Sequence, residues 1–271
     1  MNKDELIGLA SDFLEASEDN DIETRDIKIF DTPIFGFADT NDVYFTKLKD
    51  PKAIGSHFKL PKEWLSSSKT VISFFLPFTE AVKESNHQEK KWPSPEWLIA
   101  RIEGQQLINS LSKYLQSQLI NENCASIIPS LDERFWSKTK NTDSTNRDQP
   151  TFTSNWSERH VAYVCGLGTF GLSKGLITRK GIAGRFGSIV TELKIEPCIR
   201  EYEDIYENCS KWSACIKQCP VKAISFEKGK NHSICSDFLA VTADKFKPRY
   251  GCGKCQVNVP CESGIPSKSS L

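Results

Sequence analysis

The chain has 271 residues, 38% apolar and 26% charged, the balance of an ordinary folded protein with room for one large domain and a small appendage. Thirty-five basic residues offset 35 acidic ones, so net charge shows no bias towards nucleic acid or an anionic membrane surface. The acidic, amphipathic start MNKDELIGLASDFLEASEDND lacks a basic-then-apolar export signal, and the longest apolar run, Val71 to Phe78, is too short to cross a bilayer; a cytoplasmic protein without membrane contact is expected.

In chain order, residues 4–16 predict a helix with Leu6, Leu9, Ala10, Phe13 and Leu14 on one face. Residues 70–78, TVISFFLPF, predict a buried strand. From Glu96 to Ile120 the apolar residues Leu98, Ile102, Leu111, Leu115 and Leu119 recur at helical spacing. CASIIPS, 124–130, reads as the next strand, and the polar, turn-rich residues 137–154 as a loop or lid. A helix is expected from near Asn155 through WSERHVAYVC into GLGTFG; GLITRKGIAGRFGSIVTELKI then reads as strand, glycine-containing turn and second strand. The boundary is placed after Glu196-Pro197, which gives domains at 1–196 and 197–271. The fold class is α/β (α+β): a mixed sheet flanked by helices, followed by a small ferredoxin-like double-cluster module.

Ten cysteines in a cytoplasmic chain require an explanation, since disulfides rarely persist there. Cys124 and Cys165 stand apart, and the other eight crowd into Cys198–Cys261. Iron–sulfur clusters take thiolates, and the bacterial ferredoxin run is C-x2-C-x2-C-x3-C-P, its last cysteine serving the other cluster. Cys209, Cys215, Cys219 and Pro220 fall on the first, third and fourth cysteines and the proline; Trp212 occupies the second position. The second group is Cys235, Cys252, Cys255 and Cys261. The simplest partition crosses over: Cys219, Cys235, Cys252 and Cys255 hold one cluster, and Cys209, Cys215 and Cys261 the other, short of a fourth ligand unless Cys198 supplies it. Zinc is the rival metal for the C-x2-C pair, and the C-P ending favours iron.

With TVISFFLPF, ERHVAYVCGLGTFGLSKGLITRKGIAGRFGSIVTELKIEP and the cluster region ending in GCGKCQ, the chain resembles the epoxyqueuosine reductase and reductive dehalogenase group of corrinoid iron–sulfur enzymes. The resemblance implies two 4Fe–4S clusters, a base-off cobalamin lined by the GLG segment, and oxygen-sensitive chemistry suited to anaerobic handling. It assigns Gly166, Gly168 and Gly171 to cofactor contact; read from the residues alone, these glycines fit a tight turn equally well. Two departures stand out. Phe152-Thr153 occupies the place of the family's catalytic aspartate, and the family's C-terminal helical-repeat extension, which helps hold tRNA, is missing. With the neutral charge, these predict a small-molecule substrate, a ferredoxin- or flavodoxin-type electron donor, and no nucleic-acid partner.

Candidate proton donors are Glu158 and His160, just before the glycines; His160 has a reference pKa near neutral, and Glu158 serves if buried. Arg185, between Gly184 and Phe186, is a candidate for pairing with a phosphate or carboxylate. The leading expectation is a cobalamin-dependent iron–sulfur reductase. The alternative is a non-catalytic, ferredoxin-type electron-transfer partner.

Overall fold

A computed structural model describes residues 1–23, 25–139 and 151–267. Helix α1 (Lys3–Ala16) begins at a capping box in which the Asn2 side chain accepts the Glu5 amide and the Glu5 carboxylate accepts the Asn2 amide. Leu6, Ala10 and Leu14, one turn apart, are fully buried, and Phe13 stacks on Tyr114 at the flank. Strand β1 (Ile34–Asp39) and strand β2 (Thr70–Pro77) follow. Helix α2 (Pro95–Asn121) starts where the Ser94 hydroxyl accepts the Trp97 amide and Pro95 takes the first helical position.

The segment at 124–130 holds only a short strand, β3 (Ser126–Ile127), because Pro129 opens a single 3-10 turn directly after it. Helix α3 (Glu158–Val164) starts later than expected. Asn155 is instead a bracket: its Oδ1 accepts the Trp136 amide and its Nδ2 donates to the Arg134 carbonyl. Of the expected loop at 137–154, residues 140–150 lie outside the described residues; its two ends, Ser137–Lys138 and Thr153–Ser154, pair antiparallel.

The glycine segment gives strand β4 (Gly168–Phe170), which pairs with β5 (Leu176–Thr178). The expected hairpin of β5 with β6 (Gly184–Thr191) therefore does not form. Instead β6 runs the full length of β2, from Thr191 opposite Thr70 to Gly184 opposite Pro77. The main sheet has the order β1-β2-β6-β3, and every described pairing in it is antiparallel.

The α+β character is as expected, but no parallel pair accompanies it among the described strands. The expectation of a mixed sheet arose because all eight residues of β2 are buried. Ile72, Phe74 and Leu76 face α1 and α2 in one core, while Val71 and Phe75 join Trp156, Phe58 and residues of α3 in another. An antiparallel strand covered on both faces reads as a continuous apolar run, the pattern usual for buried parallel strands. Phe74→Ala, at a fully buried position in the middle of this sheet, is expected to cost about 3–5 kcal/mol in urea unfolding.

Beyond residue 197 come two further helices, α4 (Ala214–Gln218) and α5 (His232–Lys245), and a two-residue hairpin between 224–225 and 229–230. This part is fastened to the rest of the molecule. The Ile182 amide donates to the Cys261 carbonyl, and Lys83 Nζ donates to Ser263 Oγ at 2.6 Å. No helix among the described residues is long and apolar enough to cross a membrane.

Candidate functional site

The ten cysteines are unbridged, and among the described residues no three Cys, His, Asp or Glu side chains stand close enough to hold a single metal ion; the charges that the thiols sense nevertheless sort seven of the cysteines into two sets. Burial raises the Cys252 thiol to about 12, and the neighbours whose charge adds to the shift are Cys255, Cys235 and Cys219. Burial also raises Cys235, which senses Cys255 and Cys219. The Ala223 amide lies 3.2 Å from Cys219 Sγ, an N–H···S contact of the kind that surrounds cluster sulfurs. Behind this group sits a buried cation. Lys254 is 2% exposed, and its ammonium donates to the Asn86 carbonyl at 2.6 Å and to Asn86 Oδ1 at 3.1 Å. Gly253, between Cys252 and Lys254, has φ of +71°, and a Cβ there would stand 2.0 Å from Trp97 Cε2, so this corner admits only glycine.

In the other group, burial pushes Cys261 up to about 12 with Cys209 and Cys215 as its nearest charged neighbours. Cys215 is raised to about 11 by burial, and it senses Cys255 and Cys209. Cys255 is thus a neighbour of both groups. Cys198 belongs to neither, which corrects its candidacy as a fourth ligand. Its amide donates to the Phe37 carbonyl at the sheet edge, and its Cβ packs 3.2 Å from where a Gly166 side chain would begin.

A third constellation lies beside Cys255. Arg159 senses the charges of Cys255 and Arg101, and Arg185 those of Arg101, Tyr250 and Arg159. Arg101 lies over the Tyr250 ring at 4.5 Å. Arg185 reaches Gln105 Oε1 through Nε at 3.0 Å and through Nη2. Among the described residues none of the three arginines forms an ion pair, and Arg101 Nε has no hydrogen-bond partner. Desolvation is the leading influence on Arg159 and Arg185, lowering Arg185 to about 10, where it stays cationic at neutral pH. Yet Arg159 is exposed and Arg185 only half-buried.

Glu158 and His160 flank Arg159 on the first turn of α3. Both Glu158 oxygens are shielded from solvent and lack a hydrogen-bond partner. Burial raises this carboxyl to about 7; the Ser188 and Ser130 hydroxyls lie near enough to oppose the shift, but Ser188 Oγ already accepts the Trp156 indole N–H at 2.9 Å. His160 differs from expectation. Burial, with Arg159 next, lowers it to about 4, so at neutral pH it is an uncharged ring whose Nδ1 lies 2.8 Å from Ser157 Oγ. An imidazole of that pKa is not a proton donor near neutrality.

A Cβ on Gly168 would stand 2.1 Å from the Ile177 carbonyl oxygen, on Gly166 3.2 Å from Cys198 Cβ, and on Gly171 3.1 Å from the Ile177 side chain. On their Cβ side the three glycines admit the chain's own strands and side chains, while Gly171 also borders a surface concavity with Leu172, Lys174 and Tyr206. Phe152, in the place of the family's aspartate, stacks on the His232 ring, and Thr153 Oγ1 lies 2.8 Å from His57 Nε2.

Arg101, Tyr250, Lys254 and Asn86 were not singled out from sequence, and Arg159 only as one of the group from Trp156 to His160. For Arg101 a signal was present, a charge on the stripe Leu98, Gly104, Ile108 that α2 buries.

No protein-family model matches the sequence, and no curated protein matches it. Solved structures match in fold. The epoxyqueuosine reductase from Streptococcus thermophilus is 18% identical with a TM-score of 0.53, over 98% of this chain and 68% of that one. An epoxyqueuosine reductase in complex with a tRNA-Tyr epoxyqueuosine-modified stem loop is 18% identical with a TM-score of 0.51, over 97% and 66%. The catabolic reductive dehalogenase NpRdhA, in complex with 3-bromo-4-hydroxybenzoic acid, is 9% identical with a TM-score of 0.53, over 87% and 30%. The expected likeness is thus shown for the fold, and the chain spans about two thirds of the reductases and under a third of the dehalogenase. The tRNA-bound neighbour contrasts with the expectation of no nucleic-acid partner, which rested on the neutral charge together with the departures from the family's pattern.

Proposed function

We propose that the chain is an iron–sulfur oxidoreductase that reduces an anionic organic substrate held by the arginines beside Cys255. The observation that carries this reading is that Arg101, Arg159 and Arg185 sense one another's charge and, among the described residues, form no ion pair. Guanidinium groups recognise carboxylate or phosphate, and three of them without a counter-ion fit a ligand that brings the negative charge. Cys219, Cys235, Cys252 and Cys255 would hold a four-iron cluster, which supplies single electrons when bound. The four thiols, an N–H on Cys219 Sγ and the buried Lys254 ammonium suit such an anionic group.

Glu158, titrating at about 7, is half protonated near neutrality and holds the proton that a reduced product requires. His160, uncharged, orients through Ser157. On their Cβ side the glycines pack against Ile177 and Cys198, and cobalt per chain after anaerobic loading with cobalamin tests that cofactor directly. The close packing on that side favours the second reading, an electron-transfer protein fed by a ferredoxin or flavodoxin. Soluble anions and a nucleic acid both supply the charge the arginines call for.

The test follows re-oxidation of the dithionite-reduced protein under argon, on adding 3-bromo-4-hydroxybenzoate or an epoxyqueuosine-modified tRNA stem loop. One of them is expected to oxidise the wild type about 10- to 100-fold faster than Arg159→Met, the worth of one charge-assisted hydrogen bond. Equal rates in both proteins, with ready exchange to ferredoxin, establish the electron carrier instead.

A further inference from the structure

The crossing-over of ligands leaves Cys209, Cys215 and Cys261 as a separate trio, and their surroundings define what that trio takes. Ile177, Ile182 and Val259 pack against all three. The cavity between them is walled by these thiols, by apolar groups such as Leu172, Ile177 and Pro260, and by Trp212; no histidine, carboxylate or fourth cysteine lines it. Trp212 stands at the position of the missing ligand, 46% exposed. Its indole N–H is a donor only and binds no metal. The carboxylates nearest in sequence, Asp204 and Glu207, line an adjoining concavity that shares Cys209, Ser210, Lys211 and Trp212 with this one but includes neither Cys215 nor Cys261. Cys198, the last candidate, is held at the sheet edge by Phe37.

We propose that this trio holds a three-iron, four-sulfur cluster, one thiolate per iron, and not a second four-iron cluster. A cubane formed here has a fourth iron with no protein ligand. Its loss balances as [4Fe–4S]2+ giving [3Fe–4S]0 and Fe2+, and transfer of one electron to an added one-electron oxidant such as ferricyanide then gives [3Fe–4S]+. The proposal rests on the iron–sulfur reading of the four-cysteine group, and the iron count separates the two.

The experiment compares wild type, Trp212→Cys and Cys209→Ser, all reconstituted and handled identically under argon. Iron is counted, and electron paramagnetic resonance spectra are recorded as oxidised and as dithionite-reduced samples. The wild type is expected to carry about seven irons, with an oxidised three-iron signal and a reduced four-iron signal. Trp212→Cys completes the ferredoxin spacing, so it is expected to rise to about eight irons and to lose the three-iron signal. Cys209→Ser is expected to lose that signal and keep the four-iron one. A three-iron signal that persists in both variants comes from damage at the other group and overturns the proposal. So does a wild type with about eight irons and no such signal, or one with about four. Absence of iron altogether overturns the four-cysteine reading as well. If Trp212→Cys fails to fold, the wild-type spectra and Cys209→Ser decide.

Discussion

Glu158→Gln is expected to make the protein more stable at pH 8 and, in the same molecule, to cost about 10²–10⁴-fold in turnover. The carboxyl titrates at about 7 when folded against 4.5 as its ordinary value. Below pH 4.5 it is protonated in both states and makes no difference. Between 4.5 and 7 the unfolded chain ionises and the folded protein does not, so stability falls as pH rises. Above 7 the full penalty, on the order of 3 kcal/mol, is present. Glutamine has the same shape without the charge, and the gain should therefore appear through that window and level off above it. Urea midpoints at pH 4 and pH 8 check this; an equal shift at both, or none at pH 8, would mean that the carboxyl is not desolvated. A stabilised variant that retains full re-oxidation by substrate would remove Glu158 from the chemistry and leave its burial unexplained.

The second large effect is on iron. Cys235→Ser removes one thiol from the group in which Cys235 and Cys252 both sense Cys219 and Cys255, and about four irons are expected to be lost. The melting temperature should fall with them, because metal bound only by the folded state contributes its binding energy to folding. Cys198→Ser serves as the control. Its side chain packs against Gly166 at the sheet edge, so iron content should not change. Iron lost in Cys198→Ser and kept in Cys235→Ser would reverse the partition described above.

How much of this could be read from sequence depends on whether the information is local. The helix at 95–121 and the strand at 70–77 were legible because apolar periodicity is written in consecutive residues. The cysteine partition is a reading of spacing around a proline, and in the fold Cys235 and Cys252 both sense Cys219 and Cys255. Sheet direction was not, since Ile72 and Val71 are buried by different cores and the run looks the same in either direction. The glycines stay ambiguous for a related reason: close approach to Ile177 and close approach to a ligand demand the same absent side chain. The arginine group was invisible because Arg101, Arg159 and Arg185 come from α2, α3 and β6 and meet only after the sheet forms. Glu158 and His160 were named together as acids, and only their surroundings push one up to about 7 and the other down to about 4.

The way residues 252–263 fold back has a consequence for biosynthesis. Asn86 closes on Lys254, Lys83 on Ser263, and the amides just before β6 on Cys261 and Glu262. Partners so far apart in the chain cannot meet while the ribosome still covers the later ones. The turn just before the strand that carries Arg185 and Ser188 therefore gains its contacts with Cys261 and Glu262 last, although the strand itself is already paired along its length with β2.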